Sequence, residues 1–174
     1  MQVRDLTKMA MCVALCCVTA YIAFPLPFTP GYVTALTFAL SLSAYLLPPK
    51  QTFTVILIYI LMGAVGLPVF AGGEGLSRLV GPAGGFYFGW LVGFPIMSAV
   101  KGSKPSFKRY ALTNILIAVP ITYLGGILSM VRVLDVGIFE ALTMAVIPFI
   151  PGDLMKATAA AFLGVKMQNI LERR

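Results

Sequence analysis

An aspartate and a lysine stand three residues apart near the carboxyl end of the chain, inside a stretch that is otherwise apolar. Asp153 and Lys156 follow Pro151, which suits a first helical turn because its missing N–H would have no partner there. Residues at positions i and i+3 of a helix share one face, so the carboxylate and the ammonium point into the same space. A charge inside a bilayer is costly unless it is paired or lies in a polar cavity. The pair therefore predicts a functional site, with a structural ion pair between helices as the alternative.

Composition and charge spacing predict that the surroundings of this pair are a membrane. Of the 174 residues, 59% are hydrophobic and 11% are charged, whereas soluble domains carry about 25% charged residues. Charges are absent from residues 9–49, 51–73, 79–100 and 110–131. Because a spanning helix needs about 20 apolar residues, the first run holds two spans and each of the others holds one. The helix that carries Asp153 supplies a sixth span.

We therefore predict an all-α membrane protein with a single domain over residues 1–174 and six transmembrane helices. The spans are expected at about 6–24, 32–47, 52–65, 82–100, 110–130 and 151–171, with a short surface helix between residues 132 and 147. The basic residues on the side of both termini are Arg4, Lys8, Lys50, Lys101, Lys104, Lys108, Arg109, Lys166, Arg173 and Arg174. Arg78 and Arg132 lie on the other side, so the positive-inside rule places both termini in the cytoplasm. The net charge of +7 is thus a topology signal and does not indicate nucleic-acid binding.

A glycine-rich stretch, residues 66–81, links the third and fourth predicted helices. Glycine disfavours a helix, yet the stretch is largely apolar. Irregular backbone at membrane depth is tolerated where it is buried in protein or lines a cavity, so we predict a partly buried outer loop. A plain connecting loop is the alternative. The stretch lacks the Lys and Ser/Thr that follow the glycines of a phosphate-binding loop. It is predicted to lie on the same, outer side as Asp153.

Small residues predict two close helix contacts. Gly85, Gly89 and Gly93 recur every four residues in the fourth predicted helix and give it a smooth face for packing. Ala10 and Ala14 form a small-xxx-small pattern in the first helix.

Several classes of function lack the residues that they need. The chain has no His, and Cys12, Cys16 and Cys17 fall in the first span without metal-ligand spacing, so neither a metal nor a cofactor is expected. No nucleophile–base pair or carboxylate cluster indicates an enzyme. No nucleotide-binding motif is present, so the chain is not expected to hydrolyse ATP itself. A channel would place polar residues along several helices, whereas here they concentrate at one end. A membrane-embedded enzyme and a small channel remain as alternatives to a binding protein.

Three motifs occur in a specific order along the chain. They read Gly-Leu-Pro-Val-Phe at 66–70, Gly-Pro-Ala-Gly-Gly-Phe-Tyr at 81–87, and Pro-Phe-Ile-Pro-Gly-Asp-Leu-Met-Lys at 148–156. In these motifs, and over essentially its whole length, the chain resembles the BioY family, the biotin-binding subunits (S components) of energy-coupling factor transporters. The resemblance implies a prokaryotic plasma-membrane protein that captures biotin with high affinity near the outer face. An S component for another small vitamin is the alternative within this class.

The resemblance also implies partners. A transmembrane coupling subunit and two cytoplasmic ATPase subunits would complete the transporter, so this chain would bind substrate and not act as an enzyme. In S components an Ala-xxx-Ala pattern of the first helix contacts the coupling subunit, and Ala10 and Ala14 match it.

The predicted ligand contacts suit the chemistry of biotin. An ionised Asp153 accepts a hydrogen bond from a ureido N–H, and Lys156 and Arg78 donate to a carboxylate or to the ureido oxygen. The remaining predicted contacts are Gly73 and Glu74 of the glycine-rich loop and the aromatic rings of Phe70, Phe86, Tyr87 and Trp90. Such rings also face lipid or the protein core in membrane helices.

Two positions depart from the pattern of the family. Many members carry a Gln after Thr-Leu in the segment that follows the first helix, whereas this chain reads Thr34-Ala35-Leu36-Thr37. Ala83 stands where a Thr is usual. Either change bears on a polar contact to the ligand, so the resemblance does not assign individual hydrogen bonds.

Overall fold

The computed structural model describes residues 3–73 and 75–172 of the chain, and its fold is mostly helical. In chain order the elements are α1 (Val3–Ala20), β1 (Ala23–Pro25), β2 (Tyr32–Thr34), α2 (Leu36–Leu46), α3 (Pro49–Ala64), α4 (Leu76–Val80), α5 (Gly84–Val100), α6 (Phe107–Thr113), a π-helical turn (Asn114–Ala118), α7 (Val119–Leu134), α8 (Ile138–Ala145) and α9 (Ile150–Glu172). The long helices pack around α2 and α5, which contact each other. Their shared core contains the fully buried side chains of Leu40, Tyr45, Tyr59 and Phe94.

The glycine face that the sequence predicts on α5 makes a close helix contact. A Cβ on Gly85 would overlap the carbonyl oxygen of Gly125, and a Cβ on Gly89 would lie 2.8 Å from the Cα of Thr122. Gly93 faces the carbonyl oxygen of Ala118 in the same way. The glycine face of α5 is therefore confirmed as the surface that packs on α7 and the π-helical turn.

Helix length supports part of the six-span prediction. Among the described residues, one continuous helix, Phe107–Leu134, is long and apolar enough to cross a bilayer by itself: it has 28 residues, and an 18-residue window within it has a mean hydropathy of 1.8. Helix α8 and residues Ile150–Leu171 meet the same criterion together, with a bend of 49° between them. Helices α2, α3 and α5 are apolar but shorter. The number of spans therefore stays a prediction from the sequence.

A β-hairpin replaces the helix ends that were expected between residues 20 and 36. Helix α1 ends at Ala20, not near residue 24, and α2 begins at Leu36, not near residue 32. Strands β1 and β2 pair with Phe24 opposite Val33. Three prolines at 25, 27 and 30 cannot donate backbone hydrogen bonds, which excludes a helix there. The β-branched side chains that follow favour a strand.

The glycine-rich loop is irregular, as predicted, except for one short helix. Helix α4 spans Leu76–Val80, a run without glycine or proline. The sequence prediction included this run in the loop. The loop is fixed to α3, because Tyr59 Oη donates to the carbonyl oxygen of Val69 at 2.8 Å and Gly75 N donates to that of Gly63 at 2.9 Å. Gly72 has a φ of +75°, and a Cβ there would overlap the Tyr32 ring. The hairpin and the loop are thus in direct contact.

A lysine beyond α5 caps the carboxyl end of α2. Lys101 Nζ lies 2.6, 2.7 and 2.6 Å from the carbonyl oxygens of Ala44, Tyr45 and Leu47. The last carbonyls of a helix have no partner within it, so an ammonium group satisfies them. Burial lowers the pKa of Lys101 to about 8. The three carbonyl acceptors act in the opposite direction, because they favour the charged form of the side chain. This residue, which the sequence marked only as a topology signal, also fixes the end of α2.

Candidate ligand-binding site

The aspartate and lysine of α9 form an ion pair, as their spacing predicts. Lys156 Nζ lies 2.6 Å from Asp153 Oδ1. Asp153 belongs to the first turn of α9, where the positive end of the helix dipole favours a carboxylate. Its side chain is largely buried, with the residue only 8% exposed. A buried carboxylate of this kind needs several partners to offset its lost hydration.

Three other segments of the chain supply partners to the pair. Tyr123 of α7 donates its hydroxyl to Asp153 Oδ2 at 2.7 Å, and Thr37 Oγ1 of α2 lies 3.4 Å from Asp153 Oδ1. Lys156 Nζ also donates to the carbonyl oxygen of Thr34 in β2 at 3.0 Å. An ammonium has three N–H donors, so one donor of Lys156 remains for a further acceptor.

The pair faces a cleft between α2, α5, α7 and α9, and residues of the hairpin and of the glycine-rich loop also line it. The space open to the centre of a water molecule in the cleft is about 60 Å³. Its polar lining includes Thr34, Thr37 and Arg78 beside Asp153 and Lys156. Its aromatic lining consists of Tyr32, Phe86, Tyr87, Trp90, Tyr123 and Phe149. A largely apolar concave surface with a few polar groups is the usual form of a ligand site.

The aromatic walls are held by contacts between rings. Tyr87 and Trp90 meet edge to face, with ring centroids 4.7 Å apart, and Phe86 lies 5.9 Å from Phe149. Phe70 packs against Tyr87 from behind, at 4.6 Å. Phe86, Tyr87 and Trp90 thus line the cleft, whereas Phe70 supports it and lines a separate cavity beside the loop.

Arg78 brings a second cation into the cleft from α4. Its Nη2 donates to the carbonyl oxygen of Ala71 at 2.7 Å, and its guanidinium lies 5.4 Å from the centroid of the Tyr32 ring. The backbone of Gly73 lies against the Arg78 side chain and in the separate cavity, outside the lining of the cleft. Glu74 lies outside the described residues. The loop therefore contributes Arg78 and Ala71 to the cleft wall.

Several lining residues were not predicted. Thr122 and Tyr123 are polar residues within an apolar run, a pattern that marks inward-facing positions in a membrane helix. Thr37 stands near the position at which the family pattern expects a Gln. Phe149 is part of the third motif but was not assigned a role. Tyr32 carried no signal, because its place depends on the unexpected hairpin.

The two alanines of α1 lie outside the lining of the cleft. Ala10 and Ala14 are exposed, as are Met11 and Val18 around them. The other face of α1 is buried and carries two of the cysteines, which are free. The exposed surface of α1 around the two alanines is thus apolar.

Comparison with known proteins identifies the family. The model of the BioY family matches residues 1–173. The biotin transporter BioY of Thermotoga maritima is 33% identical over 168 residues, which cover 96% of this chain and 97% of that protein. A probable biotin transporter BioY of Pyrococcus horikoshii is 34% identical over 170 residues, 97% of this chain and 99% of that protein.

The fold has a counterpart among crystal structures. The S component for biotin from an ECF-type ABC transporter superposes with a TM-score of 0.86 over 96% of this chain and 92% of that chain, at 22% sequence identity. This likeness concerns the fold, and the family rests on the sequence matches. With a match over residues 1–173 and relatives aligned along nearly their full length, the chain belongs to the BioY family.

Proposed function

We propose that this protein binds biotin in the cleft, as the substrate-specific S component of an ECF-type uptake transporter. The observation that carries the proposal is the arrangement of the cleft: a buried Asp153–Lys156 pair, a guanidinium from α4, and aromatic rings along the walls. Biotin needs these three chemistries together, because it combines a ureido group, an apolar bicyclic body with an alkyl chain, and a carboxylate.

The ureido group is assigned to the pair on α9. An ionised carboxylate accepts hydrogen bonds only, so Asp153 suits a ureido N–H. The remaining N–H of Lys156 suits the ureido oxygen, because its other two donors already reach Asp153 and Thr34. Both groups are held by partners from other segments before the ligand arrives, and such preorganisation lowers the entropy cost of binding.

The carboxylate of biotin is assigned to Arg78. A guanidinium has five N–H donors, of which Nη2 reaches Ala71 in the described structure, and its planar shape suits a carboxylate. Between the two polar ends, Phe86, Tyr87 and Trp90 offer apolar surface to the rings and the alkyl chain. Contacts of Gly73 and Glu74 with the ligand stay predictions from the sequence, since Gly73 lies outside the lining of the cleft and Glu74 outside the described residues.

The proposal extends to the membrane and to the partners. Six spans with both termini in the cytoplasm of a prokaryotic cell are favoured by the positive-inside distribution of Lys and Arg. The exposed, apolar face that carries the small residues Ala10 and Ala14 suits packing against a transmembrane coupling subunit. Two cytoplasmic ATPase subunits are proposed to hydrolyse ATP, since the chain carries no nucleotide-binding motif. Biotin acts as ligand, and no cofactor is proposed.

Equilibrium binding of radiolabelled biotin to the purified protein tests the proposal. Saturable binding that unlabelled biotin displaces, and that unlabelled thiamine or riboflavin does not displace, is the expected result. Displacement by one of the other vitamins in preference to biotin would assign the cleft to that vitamin and overturn the proposal.

A further inference from the structure

A second, smaller cavity lies on the inner side of the Asp153–Lys156 pair. Thr37, Thr122 and the pair line both this cavity and the cleft, so the pair divides one from the other. The space open to the centre of a water molecule in the smaller cavity is about 10 Å³, roughly the minimum that one ordered water requires. Ser41 of α2 and Asn114 of the π-helical turn add polar groups to its wall.

Asn114 is a deeply buried polar residue of this wall. It is 2% exposed, and its Nδ2 donates to Ser41 Oγ at 2.8 Å and to Tyr45 Oη at 3.2 Å. These bonds use both hydrogens of the amide nitrogen. Asn114 Oδ1 is therefore the group that remains to accept a hydrogen bond from a molecule in the cavity.

The π-helical turn brings Asn114 to this position. The backbone N–H of Val119 donates to the carbonyl oxygen of Asn114, five residues earlier, so residues five apart come to one side of the helix. Asn114, Val119 and Thr122 line the cavity together as a result. Fewer than about 1% of residues in globular proteins adopt π-helical structure. The π-helical turns that do occur are frequent at functional sites. The departure from a regular helix thus coincides with a polar side chain in the wall of the cavity that the pair also lines.

We propose that this cavity is a binding site for one ordered water molecule, which Asn114 holds against the carboxylate of Asp153. The water donates one hydrogen to Asn114 Oδ1 and the other to Asp153, and the Ser41 hydroxyl fixes the Asn114 amide through its own bond to the Thr37 carbonyl at 2.7 Å. Such a water has the two to four polar partners that buried waters make. Asn114 and Ser41 are then positioning residues, which act on the ligand through Asp153. The role in affinity rests on the proposed function, whereas the water site does not.

Crystal structures of the purified protein, with and without biotin, test the site directly. The expected result is one ordered water in the cavity, within hydrogen-bond distance of Asn114 Oδ1 and Asp153. A cavity without density would overturn the proposal. So would density surrounded by several oxygen atoms at the shorter distances of a bound cation.

A matched pair of serine variants on α2 tests the effect in solution. Ser41 and Ser43 are both buried, and each donates to the backbone carbonyl four residues earlier. Of these two serines, only Ser41 lines the cavity. We expect Ser41→Ala to weaken biotin binding about three- to tenfold, the loss of roughly one neutral hydrogen bond. Ser43→Ala should leave the affinity unchanged. Equal affinities in the two variants would overturn the positioning role.

Failure of this inference is distinguishable from failure of the proposed function. If the wild-type protein does not bind biotin, the proposed function fails, and the density in the unliganded crystal still decides whether the water site exists. If the wild type binds biotin and the cavity is dry, only the inference fails.

Discussion

Removal of the Tyr123 hydroxyl should distinguish a ligand-binding role of the Asp153–Lys156 pair from a purely structural role. Tyr123→Phe keeps the aromatic ring in the wall of the cleft and deletes the O–H that donates to Asp153 Oδ2 at 2.7 Å. In the wild type this bond orients the carboxylate, which has Lys156 on its other oxygen. The variant therefore leaves the packing intact and frees Asp153 to rotate away from the geometry that the ligand needs.

The expected loss follows from the strength of a hydrogen bond to a charged group. Such a bond contributes about 1.5–3 kcal/mol, which corresponds to a roughly 10- to 150-fold weaker affinity if the contribution is lost from the bound state. Isothermal titration of detergent-solubilised protein with biotin measures this loss. Thermal unfolding without ligand, measured on the same samples, reports the structural share of the bond.

Ser98→Ala is the control for this variant, because it too deletes one buried hydroxyl. Ser98 is 4% exposed, and its Oγ donates to the carbonyl oxygen of Leu47 at 2.7 Å, outside the lining of the cleft. It should lower thermal stability and leave biotin affinity near that of the wild type. The reasoning would be refuted if Tyr123→Phe behaved like this control, with lower stability and normal affinity, because Asp153 would then serve the fold alone.

Three further outcomes are expected. Single cysteines that replace the exposed residues Lys104 and Glu140, in a background without the native cysteines, should react with impermeant reagents from opposite sides of the membrane. Reaction of both from the same side would contradict the six-span topology. Ala14→Trp should abolish co-purification with the coupling subunit and preserve biotin binding, because a bulky side chain prevents close helix approach; an intact complex would place the contact elsewhere. Gly85→Ala should destabilise the protein by about 1–3 kcal/mol or more, because the new Cβ overlaps the α7 backbone. Gly137→Ala is the control, since Gly137 has open space around it, and it should leave the melting temperature unchanged. Equal melting temperatures in the two variants would argue against the glycine contact.

The sequence predicts those features that depend on local spacing. Asp153 and Lys156 share one helix face because they are three residues apart, and the structure confirms their contact at 2.6 Å. Glycines at every fourth position predict a close-packing face on α5; the structure confirms this face and shows that α7 is its partner. In both cases the periodicity of the helix carries the information. The role of these residues in binding stays a prediction.

Features that depend on long-range contacts were not predictable in this way. Tyr123 and Thr37 reach Asp153 from 30 and 116 residues away, and no periodicity relates them to it. The hairpin was missed because a strand of three residues is too short to show an alternating pattern. The π-helical turn was missed because propensities do not distinguish it from the surrounding α-helix. Phe70 was predicted to contact ligand from its residue type, whereas its neighbours place it behind Tyr87.

The central claim is that the Asp153–Lys156 pair binds biotin, and biotin affinity in the neutralised double variant tests it most directly. Asp153→Asn and Lys156→Ala should each weaken binding by about 2–5 kcal/mol, or roughly 30- to several-thousand-fold, because each leaves a buried charge without its partner. Asp153→Asn combined with Lys156→Met removes both charges, so it should recover thermal stability and still bind biotin poorly. Near-normal biotin affinity in this double variant would contradict the account and leave the pair as a structural contact between helices.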